Sequence, residues 1–467
     1  MGKEMGKEMG MQKLSKLVFL LAAPGLIIFL AARESAAVPS FQRQTGQDCF
    51  ACHTMFPELT PVGRAFKLTG YVLNKKGEKY QTLPPLAGTA QISFTHTDRQ
   101  QPPGSLPPDR WSLHATSSEN DIVGSPQQAS VFYAGQIYDK LGAFVQATYT
   151  NDDNRLALDA ADVRYANGTT VCDKDLIFGV TLNNNPTVED VWNSTPAFSF
   201  PYAAANLAPT PSATPLINNV LAAQVGGAGL YGYWNNTIYA AVSVYRTSLD
   251  GITSPFGVGN HPLAVYVDGG IPYWRIALTH QYGSHSFEIG TYGLSSNVYV
   301  SDNSGPTDHF WDVALDAQYQ YIRAQHSFSL QTTWIHENQD RSGSFATGAS
   351  SNQSDSLDSF RINGNYYYRT TKCGTIGGSV AFFSTTGTTD PVLYAPAPVT
   401  GSQNGSPNNN GVILELDYMP PWKYLYTKLS IQYVIYNQFN GAGSNYDGFG
   451  HNASDNNTLY LLAWLAF

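Results

Sequence analysis

From Trp311 to Tyr321 the chain alternates. Trp311, Val313, Leu315, Ala317, Tyr319 and Tyr321 fall on one side, and Asp312, Ala314, Asp316, Gln318 and Gln320 on the other. A period of two residues is that of a β-strand with one face toward apolar surroundings and one toward water. The same rhythm sets Val412, Leu414, Leu416 and Tyr418 against Ile413, Glu415 and Asp417. It sets Leu429, Ile431, Tyr433 and Ile435 against Ser430, Gln432 and Val434, and Phe360, Ile362, Tyr366 and Tyr368 against Arg361, Asn363, Asn365 and Tyr367. The pattern predicts strands near 89–98, 128–137, 142–151, 156–166, 174–182, 226–234, 237–247, 272–282, 285–297, 310–322, 326–337, 355–369, 374–386, 411–418, 424–439 and 457–467. Short connections (138–141, 235–236, 283–284, 323–325) alternate with long ones (99–127, 183–225, 248–271, 338–354, 387–410, 440–456), except that 152–155, expected as an outer loop, is short. An even number of strands, about sixteen, with tight turns at one end and long loops at the other, predicts an all-β transmembrane antiparallel barrel.

Composition fits that reading. Charged residues are 13% of the chain, against about 25% in ordinary soluble domains. Mean hydropathy is only −0.23, because lipid-facing and lumen-facing residues cancel in any window. A large soluble β-sandwich or propeller would alternate too, but leaves unexplained the short–long loop rhythm, the Tyr and Trp at strand ends, and the final strand. That strand ends on Phe467, with Leu459, Leu461, Ala463 and Leu465 on its face, and resembles the C-terminal insertion signal of outer-membrane barrels. The net charge of −9 gives no reason to expect nucleic acid. Cys172 and Cys373 fall in turns eight strands apart, too far for a disulfide, whose Cα atoms stand within about 7 Å.

Residues 1–37 read as a cleaved export signal: Lys13 and Lys16, an apolar run from Leu17 to Ala32 broken by Pro24-Gly25, then Ser35-Ala36-Ala37. The run is about sixteen residues, short of the roughly twenty of a spanning helix, and an uncleaved anchor is the alternative. The segment 38–88 differs from everything after it. Its alternation is absent, Lys67, Lys75, Lys76 and Lys79 form a basic cluster, and a short helix is expected at Val62–Thr69. It also contains Cys49-Phe50-Ala51-Cys52-His53, the C-x-x-C-H spacing that attaches a c-type haem through two thioethers and places a histidine on the iron. A redox C-x-x-C pair or half of a zinc site is the competing reading, without a βαβ pattern or a second C-x-x-C to support it. About fifty residues cannot bury a core unaided. The expected organisation is therefore a signal (1–37), a monohaem segment (38–88) plugging or lining the lumen, and the barrel (89–467).

Cys49 to Thr54, followed by Phe56 to Pro61, Gly63-Arg64, Phe66-Lys67-Leu68 and Gly70-Tyr71, resembles the fused monohaem cytochrome c–porin of iron-oxidising bacteria. Phe132 to Gly135, Leu141 to Gln146 and Val188 to Asn193 extend the likeness into the barrel. The resemblance implies an outer-membrane cytochrome of a Gram-negative bacterium. In it Cys49 and Cys52 attach one covalent haem c, His53 is the proximal iron ligand, and extracellular Fe(II) is the substrate. Single electrons pass to a periplasmic acceptor, a soluble cytochrome or copper protein, with no acid–base or covalent catalysis. The rival readings are a porin with a haem-bearing plug or redox gate, and a conduit for a donor other than iron. A sixth ligand is not evident. Met55 is too close to His53 to reach the opposite haem face. His114, in the 99–127 connection, is a candidate, as is His96, which shares a face with Ile92 and Phe94 and would need a β-bulge to turn inward. His280 and His336 lie on outward faces. Lumen carboxylates Asp312, Asp316, Glu415 and Asp417 would attract a divalent cation, or else pair with Arg275 and Arg361.

Overall fold

A computed structural model describes residues 40–72, 85–101, 121–150, 155–206, 208–256, 262–422 and 425–467. The export signal, Lys75, Lys76, Lys79, His114 and residues 152–154 of the 152–155 connection lie outside the described residues. Sixteen long strands follow one another: β1 (Leu86–Thr97), β2 (Asp121–Tyr138), β3 (Leu141–Thr150), β4 (Arg155–Val171), β5 (Lys174–Asn183), β6 (Val225–Trp234), β7 (Ile238–Thr247), β8 (Ile271–Tyr282), β9 (His285–Tyr299), β10 (Thr307–Ile322), β11 (His326–Asp340), β12 (Ser354–Thr370), β13 (Gly374–Gly387), β14 (Asn409–Met419), β15 (Tyr426–Gln438) and β16 (Thr458–Ala466). A two-residue strand, Val267–Asp268, adds to β9. Each long strand pairs antiparallel with the next. The ring closes where β1 pairs with β16, Thr89 opposite Ala466, while its other edge pairs with β2, Thr89 opposite Ser130. Closure satisfies every edge, which a strand surface in lipid requires.

The tight turns have the backbone that two-residue hairpins need. Cys172 and Asp173 take φ of 53° and 56°, and Asn235 and Asn236 take 52° and 50°, the left-handed pair whose twist matches the flanking strands. All the tight turns lie at one end of the barrel, and the long connections at the other. Cys172 and Cys373 sit in tight turns, exposed and unpaired, eight strands apart around the ring.

Alternation sorts the two faces as the sequence pattern requires. Leu416 is 66% exposed and Ile289 62%, while their neighbours Glu415, Asp417 and Glu288 are buried. Exposed Val180, Leu182, Leu230, Val242, Leu278, Leu315, Val380 and Ile431 continue the outer belt around the ring. An apolar surface of that extent is a lipid-facing belt. Among the described residues no helix is long and apolar enough to cross a membrane; the strands cross it.

The core lies in the lumen, and it is polar. Gln320, Asn365, Gln331 and Ser329 are almost wholly buried on the inner face. A ring of this size would otherwise hold an aqueous channel. Two inserts fill it: the N-terminal segment 40–72, and the connection 184–224 between β5 and β6. The latter, expected as an outer loop, folds inward, because its backbone finds hydrogen-bond partners on the lumen wall.

Candidate functional site

The N-terminal insert comprises three short helices: α1 (Ser40–Thr45), α2 (Cys49–Cys52) and α3 (Pro61–Leu68), the last close to the predicted Val62–Thr69. Asp48 caps α2 by accepting from the Phe50 amide at 3.2 Å, and His53 closes it with its own amide on the Cys49 carbonyl at 2.9 Å. One turn of helix thus sets both thiols and the imidazole in sequence. Thr60 caps α3 through the Gly63 amide and also donates to Ala51 O at 2.6 Å, tying α3 to α2. Gly63 is obligatory at this crossing, since a Cβ there would collide with the Cys52 carbonyl.

The insert is seated at the tight-turn end by its own cations. Arg64 donates to Gln320 at 2.5 Å, to Gln318 at 3.2 Å and to Ser286 at 2.8 Å. Lys67 Nζ donates to the carbonyls of Val188 and Asp190, both at 2.7 Å, and so fastens the insert to the inward connection. Burial pushes the Lys67 ammonium down to about 8, helped by Arg164 and opposed by Asp162, Asp190 and Glu189. Tyr71 donates to Asp162 at 2.5 Å, and Ser40 to the Ala134 carbonyl at 2.7 Å. At Gly142 a Cβ would strike the Gly70 carbonyl, so insert and wall meet backbone to backbone.

The inward connection is knotted around Asp190, whose carboxylate accepts from the amides of Trp192, Ser194 and Thr195. Its chemistry joins the wall at Arg275, which holds Asp316 at 2.8 Å and Asp190 and Glu288 at 3.2 Å. Farther along, Ile217 N donates to Asp312 at 2.7 Å and Leu216 N to Glu337 at 2.5 Å. Of the four predicted lumen carboxylates, Asp316 pairs with Arg275 as expected. Glu415 and Asp417 pair with Lys428, at 2.8 and 3.3 Å, and Arg361 instead donates to the Phe200 carbonyl. Lys428 was missed because its single charge stands at the start of an otherwise alternating strand. The fourth, Asp312, faces Glu337 and has no base among its described partners.

Between the two inserts lies a chamber of about 570 Å³, lined by Cys49, Cys52 and His53 at one side and by Phe56, Phe66, Phe132, Phe144, Phe198 and Trp464 around it. That volume falls within the roughly 300–1,000 Å³ of cofactor pockets. Phe56 packs on His53 at 5.2 Å and edge-on against Trp464 at 5.1 Å. His53 Nδ1 is buried without a hydrogen-bond partner. Burial holds the imidazole down at about 4 against the neighbouring Pro57 and Glu58 backbone, and raises the Cys49 thiol to about 11, with Asp48 adding to it. Two cysteines one helical turn apart, an imidazole with an orphaned ring nitrogen and an aromatic chamber beside them fit a covalently held c-type haem.

The structure therefore brings Cys49, Cys52 and His53 together. It does not bring His96 to them. His96 stays on the outward face of β1, bonded to Asp121 at 2.7 Å. The bulge next to it falls on β2, between the residues opposite Gln91 and Ser93, and leaves the alternation of β1 intact. His336 likewise faces outward, paired with Asp358 at 2.9 Å. Met55 is buried beside Met419, where the Tyr426 hydroxyl meets the Met419 sulfur at 3.1 Å. Among the described residues the chamber lining holds no second histidine and no methionine.

Fold and site together define a membrane-spanning β-barrel whose lumen carries a C-x-x-C-H motif. No family model and no curated protein matches the chain. Among solved structures, OmpT, an outer membrane protein of Vibrio cholerae, is similar at 10% identity and a TM-score of 0.41, over 82% of this chain and 96% of that one. The anion-selective porin from Comamonas acidovorans is similar at 10% identity and a TM-score of 0.41, over 82% and 98%. OmpF of Salmonella typhi, solved with daunomycin, is similar at 10% identity and a TM-score of 0.41, over 82% and 97%.

Proposed function

We propose that this chain is an outer-membrane c-type cytochrome of a Gram-negative bacterium that oxidises extracellular Fe(II) and delivers single electrons to a soluble periplasmic cytochrome or copper protein. The observation that carries the reading is the placement of Cys49, Cys52 and His53 on one chamber inside a closed barrel. Cys49 and Cys52 would hold a haem there, with His53 as its iron ligand, and that haem would supply reversible one-electron chemistry. The residues do the rest. Phe56, Phe66, Phe198 and Trp464 give the chamber an aromatic lining beside the motif, and the barrel wall separates it from lipid. No acid–base or nucleophilic group is required.

With the tight turns placed in the periplasm, the exposed stretch Gly46–Asp48 beside Cys49 stands where a soluble carrier approaches. Among the described residues, the opposite, outer end carries Asp98, Asp250, Asp268, Asp302, Asp340, Asp390, Asp447 and Asp455 against Arg99, Arg155, Arg246 and Arg341. Such an excess steers cations inward and weakens with salt. Mixing anaerobic, haem-loaded protein with Fe(II) is expected to produce the reduced haem absorption bands rapidly; an unchanged spectrum sinks the proposal.

The porin reading draws on the barrel architecture itself, but it requires both lumen inserts to yield to solutes. Solute flux into liposomes that persists, with iron oxidation indifferent to Cys52→Ala, favours it. A panel of donors separates iron from other reductants.

A further inference from the structure

Resting on the function proposed above, we propose that Asp159 is the substrate-binding carboxylate of the chamber, the group that holds the donor Fe(II) beside the haem site. The chamber is two-ended. Asp48 and Cys49 line it at the tight-turn end, while Asp159, Asn185 and Asn219 line it near the long-loop end, Asp159 only four residues into β4 from its outer start. Asp48 and Asp159 are the two carboxylates of the lining, and Asp48 is spent on capping α2.

Asp159 faces the chamber through a specific distortion. Simple alternation along β4 places it with Ala161, Val163 and Tyr165, on the face opposite the lumen residues Asp162, Arg164 and Ala166. The register with β3 slips by one residue here: Gln146 pairs with Ala160, but Ala147 pairs with Leu158. Asp159 is the extra residue of a β-bulge, a device that re-aims a side chain and recurs beside active sites. Both Asp159 and Ala160 therefore line the chamber.

Once turned inward, the carboxylate is held but not neutralised. Its Oδ2 accepts from Thr148 Oγ1 at 2.9 Å and from Gln146 Nε2 at 3.0 Å, and the residue remains exposed. The other lumen carboxylates are committed. Asp162 is bound to Arg164, Asp316 to Arg275, Glu415 and Asp417 to Lys428, and Asp312 and Glu337 are sealed behind the backbone of Leu216 and Ile217. A carboxylate oxygen is a hard ligand suited to a hydrated first-row divalent cation. One carboxylate completed by water is a weak, exchangeable site, which suits a substrate that must leave. A haem held by Cys49, Cys52 and His53 would be the one-electron acceptor for Fe(II) held at Asp159, and the Fe(III) formed would leave the exchangeable site with no proton transferred.

The test is an electron paramagnetic resonance titration of full-length, ferric, haem-loaded protein in detergent with Mn(II), a divalent cation that does not reduce the haem. The wild type is expected to bind Mn(II), and Asp159→Asn, which keeps the shape and the contacts to Thr148 and Gln146, to lose about tenfold in affinity. The same variant should raise the Fe(II) KM by about as much while kcat changes little, and the surface control Asp175→Asn, exposed at the tight-turn end and outside the chamber lining, should match the wild type. Mn(II) affinity unchanged in Asp159→Asn overturns the assignment. If that variant accumulates without haem, the wild type decides: Mn(II) competing with Fe(II) supports the site, and Mn(II) without effect on Fe(II) oxidation overturns it. Mn(II) bound through Asp159 in a protein whose haem Fe(II) never reduces would retain the site and sink the iron-oxidation reading instead.

Discussion

The two halves of the lumen are filled by the same kind of material, irregular chain, but they hold it with opposite charge logic. At the tight-turn end the insert brings the charges. Arg64 and Lys67 reach out from α3 to neutral acceptors, the amides of Gln318 and Gln320, the Ser286 hydroxyl and two backbone carbonyls. At the long-loop end the wall and the outer loops bring them. Asp312 and Glu337 accept the amides of Ile217 and Leu216, Asp308 accepts Ser344, and Asp390 accepts Ser351, Asn352, Val392 and Leu393. The difference follows from what each half must secure. A short segment carrying a rigid cofactor motif needs a few long-reaching side chains to fix its position. Loops without helix or sheet need their backbone donors satisfied one by one, since a buried unpaired amide costs about 1–3 kcal/mol.

The comparison can be broken in four places. The largest effect is expected at the haem motif: Cys52→Ala should abolish normal covalent haem attachment while the barrel still assembles, read as loss of haem staining on a denaturing gel with strand content unchanged by circular dichroism. Retained normal haem attachment would refute the role of α2. Next is Arg64→Ala. It removes three hydrogen bonds to the wall and one to the Leu59 carbonyl from a buried cation, each worth about 1.5–3 kcal/mol. The insert should loosen, seen as faster proteolysis within 40–72, while the barrel's own unfolding is unmoved. Equal shifts in both would mean that the insert is not separately seated.

In the other half, Asp390→Ala should leave four loop amides unsatisfied and expose the 341–353 and 388–408 connections to protease, without changing haem content. Burial raises the Asp390 pKa, but donors from Ser350, Leu393 and Ser351 outweigh it and hold the carboxylate below its ordinary range. A depressed carboxylate contributes stability that is present above its unfolded value, about 3.9, and lost as pH falls through the lower folded value. These loops should therefore stay resistant to pepsin at about pH 3; cleavage there equal to that of Asp390→Ala would contradict the clamp. The smallest effect concerns Lys67, whose folded pKa of about 8 lies below the roughly 10.4 of a free lysine. In that window the unfolded state binds more protons, so seating of the insert should strengthen as pH rises from 8 toward 10.4. Lys67→Met should remove that slope from the thermal unfolding of the insert, and an identical slope in both proteins would exclude Lys67 as its source.

Much of the wall was legible residue by residue. Trp311 to Tyr321 and Gly411 to Tyr418 face as their alternation says, because a strand's side chains have no other choice once one face is in lipid. Cys172 and Cys373 stand apart as strand counting requires. Alternation also kept His96 outward, and it is His96 that failed to join the site. Elsewhere local pattern misled. The 184–224 connection carries no signal that distinguishes an inward from an outward loop, since its partners Asp312, Glu337 and Lys67 lie far away in sequence. Simple alternation alone would put Asp159 on the lipid face, and only its pairing with β3 reveals the bulge that turns it in.

The sequence by itself determined what depends on short range: the period-two wall, the tight turns and the spacing of Cys49, Cys52 and His53. Each is set by covalent geometry or by the solvent on one face of one strand. Only the tertiary structure decided what depends on closure of the ring. Strands distant in sequence then face one space, and which connection fills it, which carboxylate finds a base and which stays open are settled by partners that no local pattern can name.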